Sequence, residues 1–106
     1  MKFQETNLEV NSRTFKLNYA VLENAVVAFF FEDQSRMGTV AIAMPGSGET
    51  AAGRSSVLVG AKYMMTTRAL AEKLAGKTGK MSIVSLYTML EEREALRIYS
   101  KLLDGL

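Results

Sequence analysis

The sequence predicts an α+β fold in which two helices pack on one face of an antiparallel β-sheet of about six strands. Two observations lead to this prediction. Short apolar runs separated by turn residues fill residues 3–60, and such runs are typical of strands joined as hairpins. Helical spacing of apolar residues then appears over residues 63–74 and 90–103, which gives the order β-β-β-β-β-α-β-α.

The first five strands are predicted from alternation and turns. "FQETNLEV" and "TFKLNYAV" lie on either side of the turn dipeptide "NS" at residues 11–12 and predict a hairpin. After the tight turn "EN", a third strand is predicted over residues 25–31 and a fourth over residues 37–44. A loop of glycine and small residues at residues 45–54 precedes the fifth strand, "SSVLVG".

The second half of the chain changes to helical spacing. The first helix is predicted over residues 63–74, with Gly76 as its stop signal and Gly79 as the alternative cap. "MSIVSLY" at residues 81–87 is the sixth predicted strand. The last helix is predicted over residues 90–103, with acidic residues in its first turns and basic residues in its last, an arrangement that complements the helix dipole.

The third strand, "AVVAFFF", is apolar at every position. Alternate side chains of a strand point to opposite faces, so positions 26, 28 and 30 point one way and positions 27, 29 and 31 the other. Two helices cover one face of a sheet of this size, which leaves the other face for a second copy or a relative. The alternative is that the N-terminal hairpin folds back over it. The candidate dimer-face residues are Val27, Phe29, Phe30 and Phe31.

The composition excludes several kinds of chemistry. The 106 residues fit a single domain over residues 1–106 and include no cysteine and no histidine, which excludes thiolate metal sites and histidine-based catalysis. A net charge of +2 from 13 basic and 11 acidic residues is too balanced for a dedicated nucleic-acid binder. We therefore predict a protein that is not an enzyme, has no cofactor or metal and binds no nucleic acid.

Membrane association is not expected either. No apolar run approaches the roughly 20 residues needed to span a bilayer. The N-terminal stretch "MKFQETNLEV" lacks the pattern of a signal peptide. We therefore expect a soluble cytoplasmic protein.

Two stretches resemble phosphate-binding loops. "AEKLAGKT" at residues 71–78 matches a P-loop with alanine in place of the first glycine, and "GSGETA" at residues 46–51 matches a dinucleotide fingerprint. Both motifs must open a helix. "RALAEKLA", however, is made of strong helix formers and runs into a predicted strand, and too few residues follow "GSGETA" for a helix. We predict a helix end and a loop, and keep a nucleotide-dependent enzyme as the weakest alternative.

Residues 70–89, "LAEKLAGKTGKMSIVSLYTM", resemble a segment of the proteasome assembly chaperone family, closest to chaperone four, in which a Leu-Ala helix runs into Lys-Thr-x-Lys and an alternating strand. "VAIAM" and "SVLVG" resemble the strand pair that flanks a variable loop in that family. "RMGTV" is similar to the related chaperone three. The resemblance covers about residues 25–103. Lys77, Thr78 and Lys80 match the family segment, either because they stabilise the fold or because they contact a partner.

The resemblance implies a non-enzymatic chaperone that binds proteasome α subunits and assists assembly of the 20S α ring. It also implies a dimer with itself or with a paralogous chaperone subunit. An alternative interpretation is a small α+β ligand-binding or scaffolding module unrelated to the proteasome. The loop at residues 45–54 is the candidate contact with the client, through Pro45, Ser47, Glu49, Thr50 and Arg54.

Overall fold

A computed structural model describes residues 2–46 and 54–106, and the elements in them follow the predicted order. The α+β class, the six strands and the two helices are confirmed. The bounds are β1 (Phe3–Val10), β2 (Arg13–Val21), β3 (Ala25–Glu32), β4 (Thr39–Met44), β5 (Arg54–Val59), α1 (Met64–Thr78), β6 (Met81–Leu86) and α2 (Glu92–Asp104).

The sheet has the strand order β1-β2-β3-β6-β4-β5. The β1–β2, β2–β3, β4–β5 and β4–β6 pairs are antiparallel, whereas β3 and β6 run parallel, with Ala25 opposite Met81 and Phe30 opposite Leu86. The sheet is therefore mixed, and the prediction of a wholly antiparallel sheet is corrected at this pair. The reason is that α1 carries the chain back across the sheet, so that β6 enters between β3 and β4.

Both helices pack on one face of the sheet, as predicted. α1 contacts β4, β5 and β6, and α2 contacts β1 and β2. The side chains between the layers include Phe15 of β2, Phe30 of β3 and Tyr99 of α2, all buried. The Tyr99 ring meets the rings of Phe15 and Phe30 edge-on, each at a centroid distance of 5.7 Å. None of the helices in the described residues is long and apolar enough to cross a membrane.

α1 ends just before the second of the two candidate glycines, four residues beyond the predicted span. Gly76 lies inside the helix, and Gly79 ends it in the left-handed conformation, with φ of 68°. The Gly79 N–H donates to the carbonyl of Ala75, and the Thr78 hydroxyl donates to the carbonyl of Leu74, both at 2.8 Å. These bonds satisfy carbonyls of the last turn, which explains why the helix passes Gly76 and stops at Gly79.

The N-terminal hairpin extends the sheet and does not cover its second face. The turn residues Asn11 and Ser12 have φ of 51° and 65°, which lets β1 return beside β2 as an edge strand. At the start of β1 the Phe3 ring lies 6.0 Å from the Phe29 ring on that face. The alternative in which the hairpin folds back over that face is therefore wrong.

Candidate functional site

The face of the sheet opposite the helices carries a broad set of apolar side chains, and we call it the open face. The strand pairing aligns Val27 with Ile83 in β6 and Ile83 with Ile42 in β4, which forms a continuous apolar row across three strands. All three side chains are partly exposed. The open-face residues are Phe3, Val27, Phe29, Phe31, Val40, Ile42, Met44, Met81 and Ile83.

The candidate dimer-face residues divide between the two faces of β3. Val27, Phe29 and Phe31 lie on the open face, with Phe31 largely buried by its neighbours. Phe30 is fully buried in the core beneath α2. Its inclusion in the candidate dimer face is corrected, because the two-residue period of the strand places it with Val26 and Ala28.

A groove of about 340 Å³ lies on the open face. It is lined by the aromatic rings of Phe3, Phe29 and Phe31 and by three residues of the loop after β3, Ser35, Arg36 and Met37. Asn18, which pairs with Phe29 across the strands, also lines it. The Asn18 Oδ1 atom is shielded from solvent and has no hydrogen-bond partner in the described part of the chain. A shielded acceptor without a donor costs about 1–3 kcal/mol of folding free energy. A hydrogen bond donated by a partner or ligand would therefore stabilise the complex.

A second surface lies where β3 and β6 end. Because these strands are parallel, the loops that follow them, at residues 33–38 and 87–91, meet at one end of the sheet. The Arg36 guanidinium stacks on the Tyr87 ring at 5.4 Å from its centroid. It donates to the Tyr87 hydroxyl at 3.3 Å and to Gln34 Oε1 at 3.4 Å. Met37 and Met89 are 65% and 74% exposed beside this stack.

Two close backbone approaches hold these loops in place. A Cβ atom on Gly38 would lie 2.0 Å from the carbonyl oxygen of Leu86, so the chain passes here only as glycine. The Gly38 N–H donates to Ser85 Oγ at 3.0 Å. The Tyr87 N–H donates to the carbonyl of Phe30 at 2.9 Å, which extends the contact between β3 and β6 beyond the strand. Both loops are therefore tied directly to the centre of the sheet.

Glu32, at the end of β3, fastens the same region by its carboxylate. One oxygen accepts from Arg13 Nε at 2.7 Å, and the other accepts from Thr88 Oγ1 at 3.2 Å and from the Met89 N–H at 3.3 Å. Burial raises the pKa of Glu32, but the hydrogen bonds from Arg13 and Met89 and the charge of Arg13 outweigh burial and hold the pKa below its usual value. Glu32 thus joins β2, β3 and the loop before α2.

The residues of the P-loop lookalike lie in the second half of α1, so they do not form the loop that cradles phosphate. Two of the three family-matched residues have contacts within the fold. Thr78 bonds the last turn of α1, and the Lys80 ammonium donates to the carbonyl of Leu22 at 2.7 Å, which ties the α1–β6 turn to the β2–β3 turn. Lys77 is exposed in the last turn of α1.

The candidate client loop falls largely outside the described residues. Ser47, Glu49 and Thr50 lie there. Of its flanks, Pro45 is half-buried and Arg54 is exposed at the start of β5, opposite Met44. No group of three or more acidic side chains that could hold a metal ion occurs in residues 2–46 and 54–106.

Arg36, Tyr87 and Met89 were not singled out by the sequence, because no motif links them. Only the parallel pairing of β3 with β6 brings their loops together, and strand order is not encoded in local periodicity.

The chain matches no protein-family model, and no curated protein matches its sequence. Its fold is similar to a chain in the crystal structure of a novel chaperone complex for yeast 20S proteasome assembly. The TM-score is 0.72, and the match covers 98% of this chain and 93% of that chain at 15% sequence identity. At this identity the likeness establishes a shared fold over nearly the whole of both chains.

Proposed function

We propose that this chain is a non-enzymatic chaperone that binds proteasome α subunits and assists assembly of the 20S α ring, acting as a dimer in the cytoplasm. The observation that carries the proposal is the fold shared with a chain of the yeast proteasome-assembly chaperone complex over 98% of this chain. The short motifs at residues 36–44, 56–60 and 70–89 support it independently, because they resemble the proteasome assembly chaperones.

The open face supports the dimer. α1 and α2 both pack on the opposite face, so the apolar row of Val27, Ile83 and Ile42 has no covering layer within the described residues. Contiguous apolar surface of this kind is typical of protein–protein interfaces. The second layer in this proposal is another copy of the chain or a paralogous chaperone subunit, and together they present the sheet ends and helix surfaces to the client.

The composition supports binding over catalysis. The chain has no cysteine and no histidine, and Glu32, its most buried carboxylate in an ion pair, is held ionised by Arg13. A carboxylate used for general acid–base catalysis has its pKa moved towards neutrality, and the shift at Glu32 has the opposite direction. We therefore assign Glu32 to the fold and the function to contact surfaces of a single domain over residues 1–106.

Native mass spectrometry of the chain alone, and then mixed with the proteasome α subunits of its host, tests the proposal. A dimer that forms a discrete complex with an α subunit is the expected result. Ile42→Asp places a charge in the apolar row and is expected to give a monomer. Leu96→Asp is the matched control, because Leu96 is an exposed apolar residue on α2, away from the open face.

A dimer that ignores every α subunit would contradict the chaperone function and leave the fold intact. The second candidate, a ligand-binding or scaffolding module unrelated to the proteasome, would then be favoured by the aromatic groove and its shielded acceptor at Asn18. A wild-type chain that remains monomeric at every concentration would contradict the proposed role of the open face.

A further inference from the structure

We infer that the end of the sheet at Arg36 and Tyr87 is a docking site for a protein segment that carries a carboxylate side chain beside an apolar one. We call this site the Arg36–Tyr87 surface, and it consists of Arg36, Met37, Lys62, Tyr87 and Met89. The inference rests on the proposed function, in which the segment belongs to the client. It places the client next to the open face, because Arg36 and Met37 also line the aromatic groove there, and not at the loop at residues 45–54.

The Arg36 guanidinium is suited to binding a carboxylate. A guanidinium has five N–H donors, and within the described residues only two long hydrogen bonds, to Tyr87 and Gln34, use them. In the described part of the chain no carboxylate forms an ion pair with Arg36. Stacking on Tyr87 fixes the plane of the guanidinium before a partner arrives, so a bidentate contact costs less ordering than it would for a free side chain.

The charges around Arg36 favour an acidic occupant. Lys62 lines a groove of about 290 Å³ beside Tyr87 and Met89, and no acidic side chain of residues 2–46 or 54–106 lines that groove. Arg36 itself lines the groove on the other side of Tyr87, together with the carboxylates of Glu32 and Asp33. Glu32 is neutralised by Arg13, which leaves Asp33. Among the described residues, this surface therefore carries two cationic side chains, Arg36 and Lys62, and one acidic side chain without an ion pair, Asp33, so it attracts a carboxylate.

The apolar half of the site comes from methionine and tyrosine. Met37 and Met89 are the most exposed apolar side chains of the two loops, and Met89 and Tyr87 form the ridge between the grooves on either side. Methionine adapts its shape to an apolar partner, and tyrosine and arginine are the residue types that most often dominate binding energy. The surface thus pairs one fixed charged contact with adaptable apolar ones.

Hydrogen bonds anchor the backbone of both loops that carry this surface. Gly38 and Tyr87 are hydrogen-bonded to β6 and β3, and Glu32 holds Met89 by its N–H. Residues presented from such anchored positions lose little conformational entropy on binding.

Charge reversal at Arg36 tests the inference. Arg36→Glu is expected to weaken the complex with an α subunit by about tenfold or more, with the dimer mass unchanged. Loss of the dimer in this variant would assign Arg36 to the open-face interface and overturn the inference. Arg36→Lys keeps the charge but loses the planar fork, so an intermediate loss is expected. Lys101→Glu is the control, because it reverses one exposed charge in the last turn of α2, and it should bind as the wild type does. Wild-type affinity in Arg36→Glu would overturn the inference and leave the proposed function standing.

If the wild type binds no α subunit, the proposed function fails and a second measurement decides the surface. The probe is the peptide acetyl-Leu-Glu-Leu-Glu-Leu-amide, titrated into chain labelled at its methionine methyl groups and followed by NMR. Shifts at Met37 and Met89 that the Gln-for-Glu peptide does not produce would support the surface. No shifts, or equal shifts with both peptides, would overturn it.

Discussion

Phe29 and Phe30 are adjacent in β3, yet truncating them should have different consequences. Phe30 is fully buried beneath Tyr99, whereas Phe29 is partly exposed on the open face beside Phe3. We predict that Phe30→Ala destabilises the folded chain and that Phe29→Ala chiefly weakens the dimer. The pair is a matched comparison, because both changes remove the same atoms from neighbouring positions of one strand.

The magnitudes follow from the burial of each ring. Removing a fully buried phenylalanine ring costs about 3–5 kcal/mol, a large share of the roughly 5–15 kcal/mol by which a domain is stable. Within one chain, the partial burial of Phe29 contributes only about 1 kcal/mol. In a dimer, truncating a central aromatic residue costs about 2 kcal/mol or more, which corresponds to roughly a thirtyfold rise in the dimer Kd.

Urea unfolding followed by circular dichroism measures the first quantity, and sedimentation equilibrium measures the second. Unfolding is compared at several protein concentrations, because dimerisation adds a concentration-dependent contribution to stability. Phe30→Ala should lower the free energy of unfolding at every concentration. Equal destabilisation by both variants would refute the division of faces, and an unchanged dimer Kd in Phe29→Ala would refute the role of the open face.

Three further predictions concern single positions. Gly38→Ala should lower stability by about 1–3 kcal/mol, because its Cβ meets the Leu86 carbonyl at 2.0 Å. Gly105→Ala, whose Cβ would meet no described atom within 4 Å, should change little in a thermal unfolding assay. Equal effects of the two changes would contradict the close approach at Gly38. Glu32→Gln should cost about 1–3 kcal/mol at pH 7. Because the pKa of Glu32 in the folded chain is depressed, the stability difference between the wild type and Glu32→Gln should be complete above the ordinary pKa of 4.5. It should disappear as the pH falls through the pKa of the folded chain. A stability difference that persists in acid would contradict the prediction. Lys77→Ala should leave the Tm unchanged with or without MgATP. If MgATP raises the Tm of the wild type and Lys77→Ala abolishes that rise, the interpretation of residues 71–78 as a helix without a nucleotide site is contradicted.

The sequence was most informative where structure follows from local pattern. The run AVVAFFF correctly indicated a strand with apolar side chains on both faces of the sheet, and the helix–turn–strand order of residues 71–80 correctly indicated a helix end. Of the two candidate caps, Gly76 was wrong and Gly79 is confirmed, because Gly79 is the glycine whose backbone turns left-handed.

The candidate site was less predictable than the fold. The Arg36–Tyr87 surface depends on two loops that are distant in the chain and meet only because β3 and β6 are parallel. Pairing between distant strands is decided by packing of the whole sheet, so neither periodicity nor turn chemistry points to it. The role of Gly38 was hidden for the same reason, because its tight contact is with the end of β6.

The central position of β6 also bears on how the chain folds as it is synthesised. β6 is the last strand to be made, yet it joins the β1–β2–β3 meander to the β4–β5 hairpin. Until residues 81–86 have left the ribosome, one edge of β3 has no partner strand, and both faces of β3 are apolar. Contacts as distant in the chain as Ala25 and Met81 form slowly, and exposed apolar edges recruit other chains. The nascent protein is therefore most prone to aggregate just before its final strand closes the sheet.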